Sequence, residues 1–188
     1  RQAAALADNS LGIAGIAWQS KVLAAKTDYT TAQVASGIVY STGQGAQIIN
    51  VSANVPGTSP PGVLTLAIAK ARYEGSIVVA SAGNTDFDAR WTWPGAMTGV
   101  MGVGGSNFGE NVPGAWGDQL SYSSWGLTVD VAAPGGEPEY LSLGINGGLH
   151  FFGGTSGAVP HASAVAALLW GEHPDWSGGE VMGRIAGT

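Results

Sequence analysis

The residues with the clearest potential for chemistry form a run in which a serine opens a predicted helix. The run is Gly153-Gly154-Thr155-Ser156-Gly157-Ala158-Val159-Pro160, and mostly small and apolar residues continue to Trp170. The first turn of a helix has unpaired N–H groups and partial positive charge, so it stabilises an anion formed there. Proline is tolerated near a helix start, where a missing N–H costs little. The pattern predicts a helix over 156–170, with Ser156 either as a nucleophile or as a simple N-cap.

Two other groups of polar residues follow apolar runs that are typical of buried strands. They are Ile49-Asn50-Val51-Ser52-Ala53-Asn54 and Val79-Ala80-Ser81-Ala82-Gly83-Asn84. In parallel sheets, sites form in the crevice outside the carboxyl ends of the strands. We therefore expect both groups to lie at one edge of a sheet.

The elements that must position these residues alternate between strands and helices along the chain. The predicted strands are Lys21–Ala25, Ile48–Ser52, Ile77–Ala80, Val100–Val103 and Val129–Ala132. The predicted helices are 31–43, 60–73, 156–170 and 177–185, and the Ala-rich residues 3–7 also have a helix-like composition. This alternation indicates an α/β fold with a mostly parallel sheet flanked by helices.

Composition restricts the class of protein. The 188 residues fit one domain, and a net charge of −6 leaves no basic patch to neutralise nucleic-acid phosphates. The absence of cysteine excludes thiol catalysis, disulfides and zinc–thiolate sites. The longest apolar stretch, Ala162–Trp170, is too short to span a bilayer, and the opening residues lack the apolar core of a signal peptide.

A family resemblance is carried by Gly154-Thr155-Ser156, Ala158 and Pro160-His161. This run resembles the nucleophile motif of subtilisin-like serine proteases, the subtilases, and similar segments cover nearly the whole chain. The resemblance implies a three-layer subtilisin-like fold, secretion, and hydrolysis of polypeptides through an acyl-enzyme on Ser156. It also implies that the Asn84 side-chain amide and the Ser156 N–H bind the oxyanion.

The same resemblance implies a substrate cleft with two walls. Ser52, Ala53 and Asn54 would form one wall of the specificity pocket, and Ser81, Ala82 and Gly83 the other. Asn54 stands where the family usually has glycine. Its larger side chain would narrow the cleft or add a hydrogen bond, which changes the expected substrate preference.

A calcium site is the third implication. The segment Ala7-Asp8-Asn9-Ser10-Leu11-Gly12-Ile13 is similar to the family's calcium-binding loop. The Asn9 side chain and the carbonyls of Ala7, Leu11 and Ile13 would be the ligands, and oxygen ligands from a bent loop suit Ca²⁺. The alternative interpretation is a surface turn without a metal.

The triad is incomplete in these residues. By the resemblance, the triad's Asp and His lie upstream of Arg1, on a part of the domain whose strand sits between 22–25 and 48–52. We therefore expect residues 1–188 to be a partial protease domain, almost inert alone, with the upstream fragment of the same domain as partner. Of the histidines, His161 and His173 are interpreted as structural, and nothing indicates an orienting acid for His150.

Two alternatives to the peptidase hypothesis follow from these residues. One is a non-catalytic protease-like module that only binds peptides, although the nucleophile and oxyanion residues are intact. The other is an esterase, because Gly154-Thr155-Ser156-Gly157-Ala158 nearly matches a nucleophile elbow. That fold needs an acid and a histidine well after the serine. Only 32 residues follow Ser156, so we reject it.

Overall fold

A four-stranded parallel sheet forms the centre of the protein. The computed structural model describes residues 3–10, 12–107, 119–136, 140–144 and 148–187. The sheet contains β1 (Ile48–Val51), β3 (Ile77–Ser81), β5 (Val100–Ser106) and β6 (Val131–Pro134), side by side in that order. Two short antiparallel pairs lie outside it: β2 (Val55–Pro56) with β4 (Thr92–Trp93), and β7 (Tyr140–Leu143) with β8 (Leu149–Phe152).

Helices cover both faces of the sheet. They are α1 (Thr31–Gly43), α2 (Gly62–Tyr73), α3 (Thr155–Glu172) and α4 (Gly178–Ala186). Every residue of β3 is buried, and successive side chains of a strand point to opposite faces. Val78 and Ala80 pack with α1 and α2, whereas Ile77 and Val79 pack with α3 and α4. The apolar run of β3 is therefore explained by burial on both sides.

The predicted α/β class and the four principal helices are confirmed. The structure begins α2 at Gly62 and α3 at Thr155, and it shifts the fifth predicted strand, Val129–Ala132, to Val131–Pro134. The shift has a local cause, because the Val129 N–H bonds to the carbonyl of Gly126 in a turn. In the described part of the chain, no helix is both long and apolar enough to cross a membrane.

Two predicted elements near the start are wrong. Residues 21–28 form neither strand nor helix, and β1 has β3 as its only described neighbour in the sheet. A cavity of about 1140 Å³ separates residues 20–27 from β1, so the predicted strand Lys21–Ala25 has no partner to pair with. Residues 3–7 are not helical, because the carbonyls of Ala3 and Ala5 accept hydrogen bonds from Ala17 and Gly15.

Replacement of glycine by alanine should have opposite effects on stability at two positions. A Cβ on Gly102, in β5, would overlap with the carbonyl oxygen of Thr128, so Gly102→Ala should lower the free energy of unfolding by about 1–3 kcal/mol. A Cβ on Gly183, in α4, meets no atom, and Gly183→Ala should raise it by about 0.5–1 kcal/mol. Urea unfolding of both variants measures the difference, and equal effects would contradict it.

Candidate active site

The backbone before Ser156 is arranged in a way that only glycine allows. Gly154 is the N-cap of α3 with a φ of 87°, and Ser156 is the second residue of the helix. A Cβ on Gly154 would also lie 3.1 Å from the Asn84 side-chain nitrogen. The left-handed backbone and this close approach both exclude larger residues. Ser156 is half-buried, so its hydroxyl remains reachable.

Pro160 determines how the backbone of Ser156 is held. Residue 160 would normally donate its N–H to the carbonyl of Ser156 within the helix, but proline has no N–H. The Ser52 hydroxyl donates to that carbonyl instead, at 3.0 Å. In return, the Ser156 hydroxyl donates to the carbonyl of Ser52 at 3.4 Å. Two reciprocal bonds thus attach the serine to the end of β1.

Ser52 is itself held by a short chain of side-chain hydrogen bonds. The Asn50 amide nitrogen donates to the Ser52 hydroxyl at 3.0 Å, and Ser163 donates to the Asn50 oxygen at 3.3 Å. Ser163 lies on α3, and Asn50 lies on β1. The chain therefore closes a ring that fixes the start of α3 against the edge of the sheet.

Asn84 lies beside the start of the same helix, as the sequence predicts. Its side-chain oxygen accepts bonds from the Thr155 N–H and the Thr155 hydroxyl, both at 2.8 Å. Because the Thr155 N–H is only a donor, the atom that faces it is the oxygen, and the NH₂ group must point elsewhere. In the described residues, neither this NH₂ nor the Ser156 N–H has a protein acceptor. Two unpaired donors, one on Asn84 and one on Ser156, therefore lie at the N-terminus of α3.

Tyr122 holds the loop that leads into the helix, and sequence reasoning assigned it no role. Its hydroxyl accepts from the Gly154 N–H at 3.0 Å and donates to the carbonyl of Gly136 at 3.2 Å. No spacing rule connects residue 122 with residue 154. Sequence reasoning also missed Thr155 and Ser163. Pro160 could have indicated one of these contacts, because a proline four residues after Ser156 leaves the Ser156 carbonyl without its helical donor.

The two predicted walls of the cleft lie where β1 and β3 end, but they differ in exposure. Ser52, Ala53 and Asn54 are half-buried. Ser81, Ala82 and Gly83 are buried, with Ser81 fully so. Of the two effects that the sequence predicts for Asn54, the structure shows the hydrogen bond, because its amide bonds to Ser81 across the gap.

None of the three histidines bonds to the serine hydroxyl in the described part of the chain. His161 faces the carbonyl of Gly157 at 2.9 Å, and burial lowers its pKa below 6.5 despite carbonyl partners that favour the charged form. His173 stacks on Trp176 with ring centroids 4.1 Å apart. His150 lies on the exposed strand β8, opposite Ser142. Among the residues that the structure describes, the hydroxyl of Ser156 thus has the Ser52 carbonyl as its partner and no base.

The predicted calcium loop is strongly bent. Asp8, Ser10 and Gly12 all have positive φ, and they alternate with the predicted ligands at 7, 9, 11 and 13. The Gly15 N–H donates to the carbonyl of Ala5 at 2.9 Å, which closes the base of the loop. Leu11 lies outside the described residues. Within the described residues, no cluster of three His, Cys, Asp or Glu side chains could hold a metal.

The fold and site define an α/β protein with a serine at a helix N-terminus, next to an asparagine amide. A sequence profile of the subtilase family matches residues 2–188, and the chain belongs to this family of subtilisin-type serine proteases. Thermitase from Thermoactinomyces vulgaris is 35% identical over 179 residues, which are 89% of this chain and 57% of thermitase.

Another relative and a solved structure are also similar to this chain over most of its length. M-protease from Shouchella clausii is 29% identical over 186 residues, which cover 96% of this chain and 46% of that protein. The solved structure of a protease from Pseudoalteromonas arctica superposes with a TM-score of 0.87 at 31% identity, and covers 96% of this chain and 59% of that one. The chain therefore spans about half the length of the relatives it matches.

Removal of the Tyr122 hydroxyl should cause a measurable loss of stability. Tyr122→Phe leaves the Gly154 N–H without its acceptor, which should lower the free energy of unfolding by about 1–3 kcal/mol. Tyr73 is 91% exposed and has no such contact, so Tyr73→Phe is the matched control and should change stability by less than about 0.5 kcal/mol. Urea denaturation compares the two, and an unchanged Tyr122→Phe midpoint would contradict the assignment.

Proposed function

We propose that this chain is the nucleophile-bearing part of a serine endopeptidase that hydrolyses polypeptides through an acyl-enzyme on Ser156. The observation that carries the proposal is that two donors unpaired among the described residues, the Asn84 NH₂ and the Ser156 N–H, lie with the half-buried Ser156 at the N-terminus of α3. Family membership supports the polypeptide substrate, and it also supports action outside the cell. The acid and base come from a segment of the same protease domain that is not among these residues. The two together are called the complete protease.

The reaction follows from these positions. The Ser156 oxygen attacks the substrate carbonyl carbon while its proton passes to the histidine of the partner segment. The substrate carbonyl oxygen becomes negative and accepts hydrogen bonds from the Asn84 and Ser156 N–H groups. The dipole of α3 further stabilises this negative charge. Collapse of the intermediate breaks the C–N bond, and the amine leaves with the proton. Water then hydrolyses the ester and restores the serine hydroxyl.

The cavity along β1 supports the partner segment. β1 has β3 on one side only, among the described residues, so its other edge presents backbone donors and acceptors. The cavity that borders this edge reaches residues 50–53, which lie next to the serine. Val22 and Leu23 are 75% and 43% exposed at its far side. An extended strand in this space would pair with β1, cover these apolar side chains, and end close to Ser156.

A fluorophosphonate probe tests the proposal on the complete protease. Ser156 should be labelled, and Ser156→Ala should abolish both labelling and peptide hydrolysis. Asn84→Ala should lower kcat by about 10²–10³-fold, the loss known for removal of such a donor in a subtilisin, with little change in KM because the bond forms in the transition state. Steady-state kinetics on a fluorogenic peptide provide the measurement.

The controls separate catalysis from folding and from the alternative function. Asn84→Ala also removes the acceptor of the buried Thr155 N–H and hydroxyl, so its free energy of unfolding should fall by about 1–3 kcal/mol, and kcat is compared at a temperature where urea unfolding shows both proteins to be folded. Specific peptide binding without labelling or hydrolysis, in a folded complete protease, would contradict the endopeptidase proposal and favour the peptide-binding module.

We also propose that the loop of residues 7–13 binds Ca²⁺ for stability. The support is its bent backbone, in which left-handed residues alternate with Ala7, Asn9 and Ile13. Left-handed conformations are costly for residues such as Asp8 and Ser10, and a bound cation would offset that cost. Carbonyl and amide oxygens are ligands that Ca²⁺ accepts. The ion takes no part in the reaction.

Calcium should therefore raise the melting temperature of the complete protease. At a calcium concentration about 100 times Kd, the expected stabilisation is about 2.7 kcal/mol. Asn9→Ala should weaken the response, and Mg²⁺ should not replace Ca²⁺ because it demands a smaller octahedral site. Calorimetry with calcium or with a chelator provides the measurement, and identical melting curves would overturn the site.

A further inference from the structure

One side chain crosses the gap between the two walls of the cleft. The Asn54 amide nitrogen donates to the carbonyl oxygen of Ser81 at 2.7 Å, and the Ser81 hydroxyl donates to the Asn54 oxygen at 3.0 Å. Asn54 follows the end of β1, whereas Ser81 is the last residue of β3. These two bonds, called the Asn54–Ser81 bridge, join the strand ends at the point where their chains diverge.

The space between the two walls is also restricted by β2 and β4. β2 begins immediately after Asn54 and pairs with β4, which places Pro56 opposite Thr92. Thr92 is buried, and a Cβ on Gly83 would lie 3.2 Å from its methyl carbon. Little room for a ligand therefore remains between Gly83 and Thr92, beneath the second wall.

The first wall also contacts Ser156. Ser52, two residues before Asn54, exchanges two hydrogen bonds with Ser156. A peptide carbonyl presented to Ser156 would therefore place its own side chain beside the first wall, facing the bridge. This step rests on the proposed function, because it needs a peptide bound for attack by Ser156.

The bridge resists displacement. Ser81 is fully buried, and a Cβ on Gly95 would overlap with the Ser81 carbonyl oxygen, so that oxygen is covered on its other side. If a bulky substrate side chain displaced Asn54, a buried carbonyl and a buried hydroxyl would lose their partners, which is unfavourable. A small side chain requires no such displacement.

We propose that Asn54 is a specificity-determining residue that restricts the attacked position to residues with small side chains, such as glycine, alanine and serine. The favoured substrates are then polypeptides with a small residue on the carbonyl side of the cleaved bond. Large aromatic residues at that position are excluded by volume.

The test compares two labelled peptides that differ only in alanine or phenylalanine at the attacked position. Binding is measured by fluorescence anisotropy to the complete protease carrying Ser156→Ala, which prevents turnover. With Asn54 present, the alanine peptide should bind at least about tenfold more tightly. Asn54→Ala should reduce that preference to about threefold or less, because the phenylalanine peptide should bind more tightly. Asn54→Ser carries the same expectation if Asn54→Ala does not fold.

Asn54→Leu is the size-matched control. Leucine fills a similar volume but cannot form the bridge, so a phenylalanine side chain can displace it without breaking hydrogen bonds, and the preference for alanine should fall below that of the parent while staying above that of Asn54→Ala. The proposal is overturned if Asn54→Ala keeps the preference, or if Asn54→Leu keeps it in full. Hydrolysis of the alanine peptide with Ser156 intact is measured in parallel. A shift in binding without hydrolysis contradicts the endopeptidase, whereas hydrolysis without a shift contradicts only the role of Asn54.

Discussion

The parallel pairing of β1 with β3 determines where the polar residues at the ends of these two strands lie. Their register places Val51 opposite Ala80, so Ser52 and Ser81 leave the sheet at the same edge. Parallel strands buried on both faces have no place for polar side chains along their length, and these collect where the strands end. Asn54 and Asn84 then follow within a few residues. One register fixes both walls of the cleft and the asparagine amide.

Helix α3 meets this edge with its N-terminus, and its own sequence explains how. Small residues such as Ala158 and Ala162 let it pack closely on the sheet, where both are buried. Pro160 removes one helical donor and makes the carbonyl of Ser156 available to Ser52. A break in the regular hydrogen bonding of the helix thereby becomes the attachment of Ser156 to the sheet. The Asn50–Ser163 contact repeats that attachment about two turns further along α3.

Prediction from sequence succeeded where the physical cause is local. The helix 31–43 was predicted with its observed bounds, since its apolar spacing and its Thr30 cap are contained in one segment. It failed at residues 21–25, because a strand forms only with a neighbour, and these residues have none in the described structure. The hairpin of β7 and β8 was also missed. Its residues Leu149–Phe152 are all exposed, so they lack the alternation that marks a half-buried strand.

By itself, the sequence determined the family and the α/β class and identified Ser156 as the candidate nucleophile, through a motif of consecutive residues at a helix start and the alternation of strands and helices. It also identified Asn84 and Asn54 as notable, since each follows a strand. Only the tertiary structure decided what these side chains touch. The pairing of Thr155 with Asn84, of Tyr122 with Gly154 and of Asn54 with Ser81 joins residues far apart in the chain. Such contacts depend on how strands and helices pack, and no spacing within one segment encodes that packing.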